Sequence, residues 1–277
     1  MIARLLGPLD VRVNGFSIVP TAPKPRKVLA LLVVHANRVV GTSTLMRELW
    51  REEPPHSSAT TLQTYILLLR KLLAEAHGGD MHAAKQQLAT YPGGYMLRMS
   101  GDAVDLYEFD RLCVLGRQQL GRRENEAASR TLRRALDMWQ GNALVDVRLG
   151  PILDVEVSRL EESCLGALEQ RIEADLRLGR HHELVSELTA LTRKFPLYEN
   201  LHAQLMLALY RSGRKASALE AYHQLRANFV DELGLEPSAR MSELHSAILA
   251  SRSTLDVSSY PRPLLLDNFE VERSAVS

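Results

Sequence analysis

Cysteine, aromatic residues and long apolar runs are all scarce in this chain. Two cysteines in 277 residues, Cys113 and Cys164, each within a helical pattern, exclude a disulfide framework and read as buried thiols. The longest apolar run, Val28 to Val34, is far too short to span a bilayer, so no membrane partner is expected. The first residues, MIARLLGPLDVRVNG, lack the cationic start, apolar stretch and cleavage site of a signal peptide, and a cytoplasmic location is expected. No GxSxG elbow, GxxxxGK[ST] loop or Ser–His–Asp order is present. The chain is therefore expected not to be an enzyme and to need no cofactor. His181-His182-Glu183 is the nearest thing to a metal cluster. Adjacent histidines on a helix diverge by ~100°, unlike an i, i+4 pair, so this is read as a surface turn.

Length and charge then divide the chain. A single core seldom serves much more than ~250 residues, which points to two domains. Residues 1–100 carry 12 Lys and Arg against 6 Asp and Glu; the remainder carries 22 against 27. Only the first part, at +6, could approach a polyanion.

The pattern along the chain follows the same division. Leu5 to Ile18 reads as strands turning at Asn14-Gly15. The basic segment Pro23-Lys24-Pro25-Arg26-Lys27 opens a helix through Ala36, and a second helix is expected from Thr42 or Ser43 to Trp50. Glu52-Glu53-Pro54-Pro55 breaks it. A third helix covers Ser57 to Ala76, and Leu88–Tyr91 and Tyr95–Met99 flank a Pro92-Gly93-Gly94 hairpin. Strands, three helices and a β-hairpin make a winged helix, whose third helix enters the major groove while the wing touches the backbone or minor groove. From Asp105 the pattern is helical. Gly179-Arg180, Leu188, Leu191 and Phe195 recur as Gly213-Arg214, Tyr222, Leu225 and Phe229, the 34-residue tetratricopeptide period. The fold class is mainly α with small β-sheets. The expected domains are a winged helix over 1–100, an all-α tetratricopeptide-like domain over 104–250 and a disordered tail over 251–277.

The third helix has two faces. Leu62, Ile66, Leu69, Leu73 and Ala76 form the apolar stripe that packs on a core. The opposite side carries Thr60, Thr64, Leu67 and Lys71, flanked by Thr61, Gln63, Leu68 and Arg70. No acid occurs between Ser57 and Ala74. Amide, hydroxyl, cation and methyl groups are those that meet phosphates, base edges and thymine methyls. Arg70 and Lys71 are expected to reach phosphates, and Thr61, Gln63 and Thr64 to reach bases. Lys24, Arg26 and Lys27 stand at a helix N-terminus, where they either meet phosphate or remain a solvated basic stretch.

These motifs resemble the SARP family, actinobacterial activators of antibiotic biosynthesis clusters. The resemblance rests on LLGPLDV at 5–11, KPRKVLALLVVHANRVV at 24–40, LMRELW at 45–50, PPHSSATTLQTYI at 54–66, LRKLL at 69–73 and YPGGYMLRM at 91–99. VDLYEFDRL at 104–112, WQGNAL at 139–144 and DELGLEPSARMSELHSAIL at 231–249 look like its bacterial transcriptional activator domain. The resemblance covers residues 1–250 and implies an output domain of the two-component (OmpR) type with Gly93 and Gly94 in the DNA-contacting wing. It further implies double-stranded promoter DNA, direct repeats near the −35 element, a homodimer on those repeats, and RNA polymerase holoenzyme met through sigma factor and core subunits. Glu52, Glu53, Pro54, Pro55 and His56 occupy the turn where OmpR-type proteins often touch polymerase. One departure stands out. The family commonly has arginine near Leu68 and a small or basic residue near Leu67; here both are leucine, suited either to thymine methyls or to a partner subunit. The rival to an activator is a tetratricopeptide interaction scaffold with a vestigial winged helix.

Overall fold

The computed structural model describes residues 1–101, 103–252 and 255. Strand β1 (Ile2–Arg4) lies antiparallel to β2 (Asp10–Val13), which turns into β3 (Phe16–Ser17). Asn14 and Gly15 at that turn have φ of 50° and 86°, the left-handed pair that a two-residue hairpin needs. Leu5 to Leu9, expected as strand, is not one. The Asp105 carboxylate accepts from the amides of Leu5 (2.9 Å) and Leu6 (3.1 Å), and Asp146 Oδ1 accepts from that of Leu9 (2.7 Å). Side-chain oxygens thus satisfy the amides that a neighbouring strand would otherwise take.

Helix α1 (Pro23–Val34) starts on a proline whose missing N–H costs nothing there, and it buries every residue from Val28 to Val34. Strand β4 (Val40–Gly41) leads into α2 (Thr42–Trp50). Neither Thr42 nor Ser43 caps α2; Gly41 holds the cap position, and the Thr42 amide donates to the Gly93 carbonyl (2.8 Å). Helix α3 (Ser58–Ala76) follows, then a short helix absent from the sequence expectation, α4 (Met81–Gln87), capped by Asp80, which accepts from the His82 and Ala83 amides. The wing is β5 (Leu88–Tyr91) and β6 (Gly94–Leu97), in a sheet of order β4-β6-β5 with Gly41 opposite Gly94. A Cβ on Gly94 would collide with the Val40 carbonyl, which explains glycine there. Leu62, Ile66, Leu69 and Leu73 of α3 are all at most 2% exposed. At roughly 1.5–3 kcal/mol for each such burial, this stripe locks α3 to the core.

The helical part comprises α5 (Asp105–Gly121), α6 (Asn125–Leu136), α7 (Pro151–Arg177), α8 (His181–Lys194), α9 (Glu199–Arg211), α10 (Lys215–Leu233) and α11 (Ala239–Leu249). The chain clusters into two compact units: residues 1–115 with 133–167, and residues 116–132 with those from 168 onward. This division does not follow the expected boundary at 100–104, and the reason is visible in the first unit. Ala3 bridges Val104, the Leu6 and Leu5 carbonyls accept from the amides of Gln140 (2.7 Å) and Leu144 (3.1 Å), and Phe109 meets Trp139 edge to face at 5.5 Å. The irregular stretch after Trp139 therefore belongs to the unit that contains the winged helix.

In the second unit α8 packs on α9, α9 on α10 and α10 on α11. The 34-residue repeat is a repeat of geometry. Gly179 and Gly213 have φ of 80° and 76°, and the following amides, Arg180 and Arg214, close the same turns onto Asp175 O and Leu209 O. Cys113 is buried and Cys164 half-buried. Of the expected tail, only residues 251, 252 and 255 lie among the described residues.

Candidate nucleic-acid interface

The outward face of α3 is set by the burial of its inward one. With Leu62, Ile66, Leu69 and Leu73 inside, Ala59, Thr60, Gln63, Thr64, Leu67 and Lys71 are exposed, while Thr61 and Leu68 are half-buried at its flanks. Thr60, Thr64, Leu67 and Lys71 follow at intervals of four, three and four residues, one stripe down the helix. The stripe spans about 16 Å at the α-helical rise, close to five base-pair steps. Thr64 donates its hydroxyl to the Thr60 carbonyl (3.0 Å), so toward a ligand it is an acceptor and a methyl.

Arg70 does not share that face. Its guanidinium donates twice to the Leu88 carbonyl (3.0 and 2.8 Å) and once to Thr90 Oγ1 (2.7 Å), tying α3 to the wing strand, and burial pulls its pKa below the usual arginine value. The basic segment also makes bonds within the fold. Arg26 donates to Pro20 O and to both Asp146 O and Asp146 Oδ2. Lys27 donates to the Glu48 carbonyl (3.2 Å), and its burial lowers its pKa. Lys24 remains exposed, with its ammonium 5.1 Å from the Trp50 ring centroid. Arg26 and Lys27 lie within reach of carbonyl oxygens of their own unit, and a partly desolvated cation takes the nearest acceptor, whereas exposed Lys24 rests near an aromatic face.

At the wing, Gly93 is exposed at the tip with φ 79°, whereas Gly94 is buried against β4. Arg98, just past β6, donates to the Tyr91 hydroxyl across the hairpin (3.0 Å).

Two family descriptions match this chain: "Transcriptional regulatory protein, C terminal" over residues 17–97 and "Bacterial transcriptional activator domain" over residues 104–249. Regulatory protein DnrI of Streptomyces peucetius is 49% identical over 257 residues, 92% of this chain and 94% of that one. The chain belongs to the SARP family of transcriptional regulators. Regulatory protein AfsR of Streptomyces coelicolor is 37% identical over 91% of this chain, which spans only 24% of AfsR. Among solved structures, Mycobacterium tuberculosis EmbR in complex with a low-affinity phosphopeptide superimposes with a TM-score of 0.84 at 35% identity, over 92% of this chain and 66% of that one. This SARP chain is a DNA-binding transcriptional activator. Among the described residues, no helix is long and apolar enough to cross a membrane.

Two features of this SARP chain complete the interface. The turn from Glu52 to His56 is exposed at every residue, open to a protein partner. Arg38, Arg47 and Arg51, not among the expected contact residues, are exposed and make no ion pair among the described residues. They were already in the count that made residues 1–100 basic. With Arg26, Lys27 and Arg70 engaged inside the fold, these three join Lys24, Lys71 and Lys85 among the exposed cations that carry that charge outward.

Proposed function

We propose that this chain activates a secondary-metabolite (antibiotic) biosynthesis cluster from the cytoplasm, binding direct repeats near the −35 element as a homodimer and recruiting RNA polymerase holoenzyme. The acid-free, exposed stripe Thr60–Gln63–Thr64–Leu67–Lys71, on a helix whose other face is locked into a winged-helix core, carries this assignment. In it α3 lies in the major groove. Gln63, Thr60, Thr61 and Thr64 meet base edges, with Leu67 and Leu68 in the same groove. Lys71, Lys24 and the wing tip at Gly93 and Gly94 face the backbone. Arg26, Lys27 and Arg70 hold these elements in place from behind. The turn Glu52-Glu53-Pro54-Pro55-His56 and the helical unit contact sigma factor and core subunits.

A gel-shift titration on a repeat-containing promoter tests it. Log K is expected to fall with log salt by ~0.9 for each phosphate neutralised. Lys71→Ala should weaken all sequences alike and lower that slope by about one, whereas Gln63→Ala should cost ~1–3 kcal/mol at its own base pair and relax specificity there. Absent or salt-independent binding would instead support a tetratricopeptide scaffold. Replacing Glu52 and Glu53 by alanine should leave DNA affinity intact and reduce transcription in a reconstituted assay; a loss of affinity would give the turn another role.

A further inference from the structure

We infer that Leu67 reads the C5-methyl group of a thymine, one in each repeat of the operator. The inference rests on α3 being the major-groove helix and specifies what that helix selects. Leu67 is 48% exposed, whereas the other leucines and the isoleucine of α3 are buried or half-buried. Nearly half of its surface, 48%, is therefore left uncovered by the core. Nor is it part of a patch, because Leu67 is the one large exposed hydrophobic residue on α3. A lone leucine among polar residues falls far short of the several hundred square ångströms that a protein interface buries on each side. Gln63 and Thr64 lie one turn before it and Lys71 one turn after, so hydrogen-bonding groups bracket it on its own stripe.

In the major groove, a side chain so placed meets a base edge. Guanine offers N7 and O6, cytosine an amino group, and adenine N7 with an amino group; each loses water against leucine and gains no partner. Thymine alone presents a methyl group, and the contact buries apolar surface on both sides. The rest of the helix points the same way. Arg70, the only arginine of α3, spends its guanidinium on Leu88 and Thr90 in the wing, so no bidentate guanine contact competes for this part of the groove.

The test isolates the methyl group. A binding site is first selected from random double-stranded DNA with the full chain, and each thymine in it is replaced in turn by uracil, which removes the methyl and nothing else. At one thymine per repeat, uracil is expected to weaken binding about four-fold, the value of one buried methyl-sized group. Leu67→Ala, which removes the contact in both protomers, should bind the thymine and uracil probes equally, about as weakly as the original chain binds a probe with uracil in both repeats, with an unchanged melting temperature because the side chain is exposed. The inference is overturned if no thymine discriminates from uracil, or if Leu67→Ala keeps the discrimination. It is equally overturned if Leu67→Ala lowers the sedimenting mass of the free protein while the thymine-to-uracil ratio stays the same, which assigns Leu67 to a second copy of the chain. Failure to select any sequence would bring down the proposed function, and this inference with it.

Discussion

Glu48→Ala is expected to lower the melting temperature by roughly 10 °C, corresponding to about 3–4 kcal/mol for a chain of this size. Glu48 lies on α2 between Leu45 and Leu49 and is only 1% exposed. Its carboxylate crosses 102 residues of sequence to the start of α7: Oε1 accepts from the Gly150 amide (2.6 Å), and Oε2 from those of Ile152 (2.8 Å) and Leu153 (3.2 Å). These are the amides that a helix N-terminus leaves unpaired, and an anion there also meets the positive end of the helix dipole. Pro151 has no N–H, which accounts for the gap in the pattern. Gly150 fits because a Cβ would run into Glu48 itself. Alanine removes the acceptor and leaves three amides short of a partner, the costly direction of the hydrogen-bond asymmetry. Glu48→Gln should fall between the two, since it keeps one oxygen and turns an NH2 toward an amide. Melting curves followed by circular dichroism check both variants. A shift below about 2 °C for alanine would mean that water replaces the carboxylate at little cost.

Glu48 also marks where sequence reading stops. Nothing local separates it from Glu52 and Glu53 a few residues on, yet one is interior and the others are exposed. Its partner is distant in sequence, and a carboxylate carries no periodic signal of that distance. The same holds for the cations. Lys24, Arg26 and Lys27 look alike on paper, but Asp146 captures Arg26 and a carbonyl on α2 captures Lys27. Arg70 sits on α3 in sequence and is bonded to the wing in space. What was legible was periodic or conformational. The 3.6-residue stripe of α3 identified its buried side residue by residue. Asn14-Gly15 marked a hairpin, and the two glycines 34 residues apart marked equivalent turns. Helix α4 escaped because seven residues are too few for a period, and its only local sign was Asp80 as a cap. The compact units cut across the 100–104 boundary because the backbone partners of Leu5 and Leu6 lie beyond residue 139. The outward stripe of α3 was thus readable as a surface, while the cations that stand beside it had to be sorted by their partners.

The second large effect is acid sensitivity of the helical unit, expected to lose about 2 kcal/mol from His181 between pH 7.5 and pH 5. His181, expected on a surface turn, instead opens α8 and is 7% exposed; burial foremost, then the Arg211 guanidinium, then His182, lower its pKa from 6.5 to about 4. The N-terminal position adds a positive helix end to the same side of the balance. Nδ1 is buried with no hydrogen-bond partner among the described residues, so a proton placed there finds no acceptor. The fold therefore favours the neutral ring. Its contribution to stability is complete above pH 6.5 and disappears as pH falls toward 4. His202, at 3% exposure on α9, acts in the same direction: burial lowers its pKa against the pull of the Ala221 and Pro196 carbonyls and of Glu199. His245 is lowered too, by burial and by His223. Urea unfolding at pH 7.5 and 5.0 measures the sum, and His181→Gln should remove the part belonging to His181, narrowing the gap between the two pH values by about 2 kcal/mol. An unchanged gap in that variant would show that the first turn of α8 admits water around the charged ring, and the acid sensitivity would then have to come from His202 and His245.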